Sequence, residues 1–185
     1  MRILYLQTFP FWGSGSGTYA RHLASEIGRR HKVAILAPDE RPIDRAKLYT
    51  VKLPFPVAFT GHPEWPDCKF YTQLTNVEVS QVYKAFLDGT IAAVEDFKPD
   101  IIHVHHAFPL TWAAAFIKDL YGINFITTIH GSELPTIEKD RRYGRATYYS
   151  MFRTSRIIPN SGYTRDWFLR VFHGYFHEKC RVIPG

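Results

Sequence analysis

The sequence predicts an α/β domain in which a parallel sheet is covered by helices on both faces. Three observations carry this. Short, mostly apolar runs (Arg2–Thr8, Val33–Ala37, Ile101–His105) lack the alternation of a strand with one wet face, so they read as strands buried on both sides. Stretches with apolar residues at helical spacing stand between them. Strands that alternate with helices need crossover connections, and these make the sheet parallel.

The elements follow in order. Arg2–Thr8 is the first strand. Tyr19, Ala20, Leu23, Ala24 and Ile27 then recur at helical spacing, and Gly28 stops the helix. Val33–Ala37 is the second strand, closed by Pro38, and Leu48–Leu53 the third. Pro54–Cys68, PFPVAFTGHPEWPDC, has four prolines among aromatics and is expected to be irregular. A segment of that length is usually functional or mobile. Val79, Val82, Phe86, Ile91, Val94 and Phe97 mark a long helix with Gly89 as its weak spot. Next come a strand at Ile101–His105, a helix at Leu110–Tyr121, a strand at Phe125–His130 and a helix at Tyr143–Phe152. Arg156–Pro159 is a short strand, Thr164–Phe172 a helix, and Arg181–Ile183 the start of another strand. That last strand has no helix after it, as though a second domain were due.

Composition bounds the function. The chain has 185 residues, 45% hydrophobic and 16% aromatic, enough for one buried domain (1–185) and short for two. No run of about 18 apolar residues exists, so no transmembrane helix is expected. MRILYLQTFPF lacks the long apolar region of a signal peptide, and a cytoplasmic protein is expected. Cys68 and Cys180 have no metal-ligand spacing and read as reduced thiols. The net charge of +6 suits anionic partners such as nucleotide phosphates or acidic headgroups. With Phe55, Phe59 and Trp65 it raises a peripheral contact at the inner membrane face, against plain packing of those aromatics. Nucleic acid is not expected, because Lys and Arg are scattered and the aromatics fall at core spacing.

In open α/β sheets ligands bind beyond the carboxyl ends of the strands. Four sets of residues follow strands and share that rim: Gly13–Thr18, His105-His106, His130-Gly131-Ser132-Glu133 and Asn160-Ser161-Gly162. The glycine loop opens a helix and can form an anion site, or it is only a tight turn. A dinucleotide fingerprint fails there, because Thr18 or Ala20 stands where the third glycine belongs. Asp39 or Glu40 would be its ribose acid. His103 and His105 share a strand face with His106 opposite, which suggests either metal ligation or polar rim and core histidines. The Asp of a metallohydrolase motif is absent, since Ala107 stands there. His130 at a strand tip can donate to a sugar hydroxyl or an oxyanion. Glu133 can accept from hydroxyls or favour the start of a helix. Gly13 to Gly17 spells Gly-x-Gly-x-Gly and not a nucleophile elbow.

Taken together, the motifs resemble the family 4 retaining glycosyltransferases of the GT-B fold. SGSGTYARHLASEIGRRHKVAILAP is similar to that family's opening, with Ser14 in place of the first glycine of a Gly-Gly pair. Gly17, Thr18, Tyr19, Arg21, Leu23, Ala24, His31 and Val33 match. PDIIHVHHA, TTIHGSE, IIPNSGYTRD and RVIPG follow in the family's order, with Gly185 where Asn is usual. The segment 54–68 has no counterpart. The resemblance implies a Rossmann-like N-terminal half. The C-terminal nucleotide-binding half, with its basic pair and Glu-x7-Glu stretch, is then missing from the chain. The resemblance also implies transfer from a nucleotide-diphosphate sugar to a sugar or lipid-linked acceptor with retention, and no metal cofactor. His130 would be catalytic. Gly15, Ser16, Gly17, Thr18, Ser132 and Glu133 would meet the donor, and His105, His106 and Ser161 the acceptor. A dinucleotide domain, or a non-catalytic module for sugars or phospholipid headgroups, are the other readings.

Overall fold

The computed structural model describes residues 1–184. Six parallel strands form one sheet in the order β3-β2-β1-β6-β7-β8. They are β1 (Arg2–Leu6), β2 (Lys32–Ala37), β3 (Ala46–Thr50), β6 (Ile101–His105), β7 (Phe125–Ile129) and β8 (Arg156–Pro159). Two further two-residue strands, β4 (Val57–Ala58) and β5 (Lys69–Phe70), pair with each other. The helices are α1 (Gly15–Ile27), α2 (Asn76–Phe97), α3 (Leu110–Tyr121), α4 (Leu134–Lys139), α5 (Arg141–Arg153) and α6 (Gly162–Val171).

The two faces of the sheet have separate cores. Leu4, Leu6, Ala34, Leu36, Ile102 and Val104 join α2 and α3 in the larger one, which includes Val82, Phe86, Leu110 and Ala114. Tyr5, Val33, Ile35 and Ala37 meet Phe11 and α1's Ala20 and Ala24 on the other. The period of two along each strand thus sends neighbouring residues to different layers. β1 lies at the centre, in register with β2 on one side and β6 on the other, so its carboxyl end opens on the middle of the rim.

Local chemistry fixes several elements. Thr75 caps α2 by accepting from Glu78 N–H at 3.2 Å, while Glu78 accepts from Thr75 N–H at 2.8 Å, a reciprocal cap worth about 1 kcal/mol. Gly89 is a contact position and no weak spot. A Cβ there would lie 3.1 Å from Val51 and 3.2 Å from Leu36, so glycine lets α2 settle onto β2 and β3. Lys179 donates to the carbonyls of Met151, Phe152 and Thr154 at 3.3, 2.6 and 3.0 Å, satisfying the end of α5.

The differences from expectation have physical causes. α1 starts at Gly15, since Ser14 caps it, and the supposed loop 15–18 is its first turn. α4 is six residues long with Pro135 in its first turn, too short for a helical period to register. Arg181–Ile183 is extended and donates to β8, from Arg181 N–H to Ile157 O at 2.9 Å and from Ile183 N–H to Pro159 O at 3.2 Å. It forms no strand, and only Cys180 makes a bridge. Phe59 is buried, and Phe55 and Trp65 pack against the core, so these three do not form an exposed membrane-facing set. Cys68 and Cys180 are free thiols, both half-buried. Among the described residues no helix is long and apolar enough to cross a membrane.

Candidate functional site

A cavity of about 410 Å³ lies beyond the carboxyl ends of the central strands. The start of α1, the tip of β7, Asn160 after β8 and part of the segment 54–68 enclose it. Gly15, Ser16, His130, Ser132 and, from the rim set after β8, Asn160 line it, and so do Phe9 and His62, which the sequence did not single out for it.

The α1 wall is an open set of donors. Ser14 Oγ accepts from Gly17 N–H at 3.0 Å, and Thr18 N–H donates to Ser14 O at 3.0 Å. The amides of Gly15 and Ser16, the first two of the helix, have no acceptor above them in the helix, as at any helix start. The positive end of the dipole points the same way. Gly15 and Gly17 differ in kind. A Cβ on Gly15 would meet nothing within 4 Å, whereas on Gly17 it would lie 2.7 Å from the carbonyl oxygens of Phe11 and Pro10. Gly17 therefore seats the helix on the preceding backbone, and its amide is already taken. Thr18 is exposed on α1 and does not line the cavity.

The β6–β7 wall is the reverse, with its groups tied to one another. His130 Nε2 and His105 Nδ1 are 3.0 Å apart. His105 Nε2 is buried with no partner among the described residues. A buried N–H without an acceptor costs about 1–3 kcal/mol, and orphaned donors are rarer than orphaned acceptors. The arrangement that avoids one has His105 Nδ1–H donating to His130 Nε2. The His130 proton then sits on Nδ1, which has no partner among the described residues. Burial, and after it the neighbouring His106, pushes His130 well below the usual imidazole pKa, so the ring is a neutral donor. Tyr19 from α1 stands edge-on to both His105 and His130, with ring centres 6.0 and 5.5 Å away.

Glu133 is fully buried. Its Oε1 accepts from the N–H groups of Ala107 and His130, each at 3.2 Å, and its Oε2 from Gly131 N–H at 2.9 Å and His106 Nδ1 at 3.2 Å. Burial alone would raise its pKa. The neighbouring His106 ring and the hydrogen bonds outweigh it and hold the carboxyl down to about 2. An ionised carboxylate only accepts, so His106 carries its proton on Nδ1. His106 takes a left-handed backbone, φ 73°, which swings its ring away from His105 and toward Glu133.

These positions differ from what the resemblance implied for His105, His106, Glu133 and Ser161. His105 and His106 have no exposure and do not floor an acceptor cleft; they support His130 and Glu133 from below. Glu133 does not face the cavity, because its carboxylate folds back onto the loop that carries it. Ser161 is the cap of α6, accepting from Thr164 N–H at 3.0 Å and donating to Thr164 Oγ1 at 2.9 Å. His103 and His105 lie stacked with ring centres 4.8 Å apart, and His103 Nε2 is 2.7 Å from Thr128 Oγ1, so they pack as core groups. Asp39 is also spent internally, on Phe11 N–H at 3.0 Å and on Arg41, which removes it as a ribose acceptor. Asn160 holds the His130 carbonyl at 3.3 Å through Nδ2 and keeps Oδ1 unpartnered at the cavity.

The remaining wall is the segment 54–68. Arg41 joins it to the stretch after β2 through Glu64 at 2.8 Å, and Arg41 and Arg21 both lie over the Trp12 ring, 4.1 and 4.9 Å from its centre. Gly13 passes close to Pro63, where a Cβ would come within 3.2 Å. The segment is thus anchored onto the loop that leads into α1.

Comparison with solved structures finds the same architecture. Sucrose-phosphate synthase from Thermosynechococcus elongatus superposes with a TM-score of 0.68 at 11% identity over 99% of this chain and 47% of that one. The Anabaena HepE complex with UDP and glucose gives 0.65 at 14% identity, over 100% of this chain and 44% of that one. UDP-GlcNAc 2-epimerase from Neisseria meningitidis bound to UDP-GlcNAc gives 0.56 at 15% identity, over 98% and 45%. The chain spans less than half the length of each. At these identities the likeness concerns the fold, a Rossmann-like half of the GT-B kind. No sequence match was found among proteins of curated function. A family model, Glycosyltransferase Family 4, matches residues 13–185. With nearly all of its length matched, the chain belongs to Glycosyltransferase Family 4.

Proposed function

We propose that this chain is the acceptor-side half of a glycosyltransferase that moves a sugar from a nucleotide-diphosphate sugar to an acceptor hydroxyl with retention. One observation carries the reading: the cavity joins a helix start with two amides to spare to a neutral histidine whose one unpartnered nitrogen bears its proton. The first suits a diphosphate and the second a sugar oxygen. The HepE complexes with UDP and with UDP and glucose support a nucleotide-sugar partner.

In this reading the anomeric carbon–oxygen bond to the diphosphate breaks as the acceptor oxygen attacks from the same face. The acceptor's proton passes to the departing diphosphate oxygen. No protein carboxylate is needed as base, which agrees with the burial of Glu133. Gly15 and Ser16 N–H meet the charge that grows on the leaving group, where fixed dipoles act best. His130 Nδ1–H holds the transferred sugar, and Ser132 lies beside it. A nucleotide-binding half brings the remaining cationic contacts, and closure of the two halves removes water. A resident metal ion is not required, because helix dipole and basic side chains carry the leaving-group charge.

The test is turnover of a panel of nucleotide sugars by the protein with both halves present, alongside His130→Ala. One donor should release its nucleotide, and the variant should lose about 10²-fold or more in kcat. No turnover by a folded protein, with candidate acceptors present, would favour a sugar-binding module.

A further inference from the structure

The chemistry above makes no use of segment 54–68, yet that segment puts a polar group on the cavity. His62 lines it and is 6% exposed. Its Nδ1 accepts from Glu64 N–H at 3.3 Å, so the proton of the neutral ring is on Nε2. Nε2 is buried and has no partner among the described residues. Burial keeps the ring below the usual imidazole pKa, so it is a neutral donor and no counter-charge for a phosphate. Phe9 and Trp65 flank it, with ring centres 5.8 and 5.7 Å away. Apolar faces beside an uncharged donor suit the C–H face and a hydroxyl of a sugar.

The backbone around His62 is held. Trp65 N–H donates to His62 O at 2.9 Å, and Arg41 grips Glu64. The tie on the ring is long by comparison, so the ring can turn to meet a ligand. The anion site lies on α1 and His130 on β7. His62 thus belongs to a third wall, which neither the diphosphate nor the transferred sugar occupies in the reading above.

We propose that His62 is an acceptor-binding residue, its Nε2–H donating to a hydroxyl oxygen of a neutral sugar seated between segment 54–68 and His130. This rests on the glycosyl-transfer reading. It assigns segment 54–68 the task of choosing the acceptor.

The experiment uses the protein with both halves, the donor identified by the panel, and methyl α-glucoside, methyl α-mannoside, methyl α-galactoside and glucose 6-phosphate as acceptors. His62→Phe should raise the KM for the accepted methyl glycoside about tenfold. The KM for the donor, and donor hydrolysis without acceptor, should stay within twofold. His62→Gln, whose amide N–H can stand in for Nε2–H, should recover most of the loss. If His62→Phe does not fold, His62→Asn takes its place with the same expected readouts, because its shorter amide falls short of the same oxygen. An acceptor KM within twofold of wild type overturns the proposal, as does an effect confined to the donor. Rejection of every methyl glycoside, or preference for glucose 6-phosphate, overturns the neutral-sugar class. A wild-type protein that turns over no donor removes the underlying reading instead, and that is seen before any variant is made.

Discussion

The two walls of the cavity are built on opposite plans. The α1 wall leaves groups unspent: the amides of Gly15 and Ser16 have no acceptor within the helix, and a Cβ on Gly15 would meet nothing within 4 Å. The β6–β7 wall spends nearly everything internally, with Glu133 accepting four hydrogen bonds and His105 bonded beneath His130. One wall leaves donors free. The other holds a single ring nitrogen in place. The lesson is that polar residues near a site divide into those that meet a ligand and those that fix the ones that do, and burial tells them apart.

The sharpest way to break this contrast is Glu133→Ala. It leaves His106 and three amides without their acceptor and should cost about 3–5 kcal/mol in urea unfolding. A loss under about 1 kcal/mol would show that the carboxylate is no keystone. The two glycines come next. Gly17→Ala should destabilise by about 1–3 kcal/mol, because the new methyl meets backbone oxygen at 2.7 Å. Gly15→Ala should leave stability within about 0.5 kcal/mol. It should still raise the donor KM several-fold, which steady-state kinetics would read, since its methyl enters the space given to the diphosphate. Equal behaviour of the two variants would end the distinction.

A further effect is in pH. Burial holds His103 down to about 4, and its donors hold Glu133 down to about 2. In both cases the unfolded chain binds the proton first, His103 below about 6.5 and Glu133 below about 4.5. Stability should therefore fall as pH drops, by up to about 1.4 kcal/mol per pH unit for each group, first between 6.5 and 4 and then between 4.5 and 2. Urea midpoints at pH 7, 5 and 3 would read this. His103→Phe should lessen the slope of the upper part of the curve and leave the remainder, which comes from His105, His130 and His62, all likewise held below the usual imidazole range by burial.

Much of the fold was legible because period and burial agree along long elements such as α2 and β2. The misses follow from length and from what lies above a residue. LPTIEK is too short to show a period, and Val57–Ala58 too short to alternate. The glycine start and His130 could be found from strand ends alone. His105 could be given a face, but not the ring stacked over it. Ser161 is a serine before a helix, and that pattern serves capping as well as ligands. Glu133 was open between two roles; it stands at the start of α4, but its carboxylate makes no cap there and turns back on its own loop. His62 sat in a stretch read as irregular, where a lone imidazole among prolines and aromatics was the available signal.

The extended run near Arg181 has a mechanical consequence. Its two hydrogen bonds join it to β8, and β8 lies against β7, whose tip bears His130. Lys179 pins the turn just before it to the end of α5. Tension applied to the chain at this point would load these contacts at the sheet edge first. Force applied at this run would thus reach a strand that is one removed from the strand bearing His130.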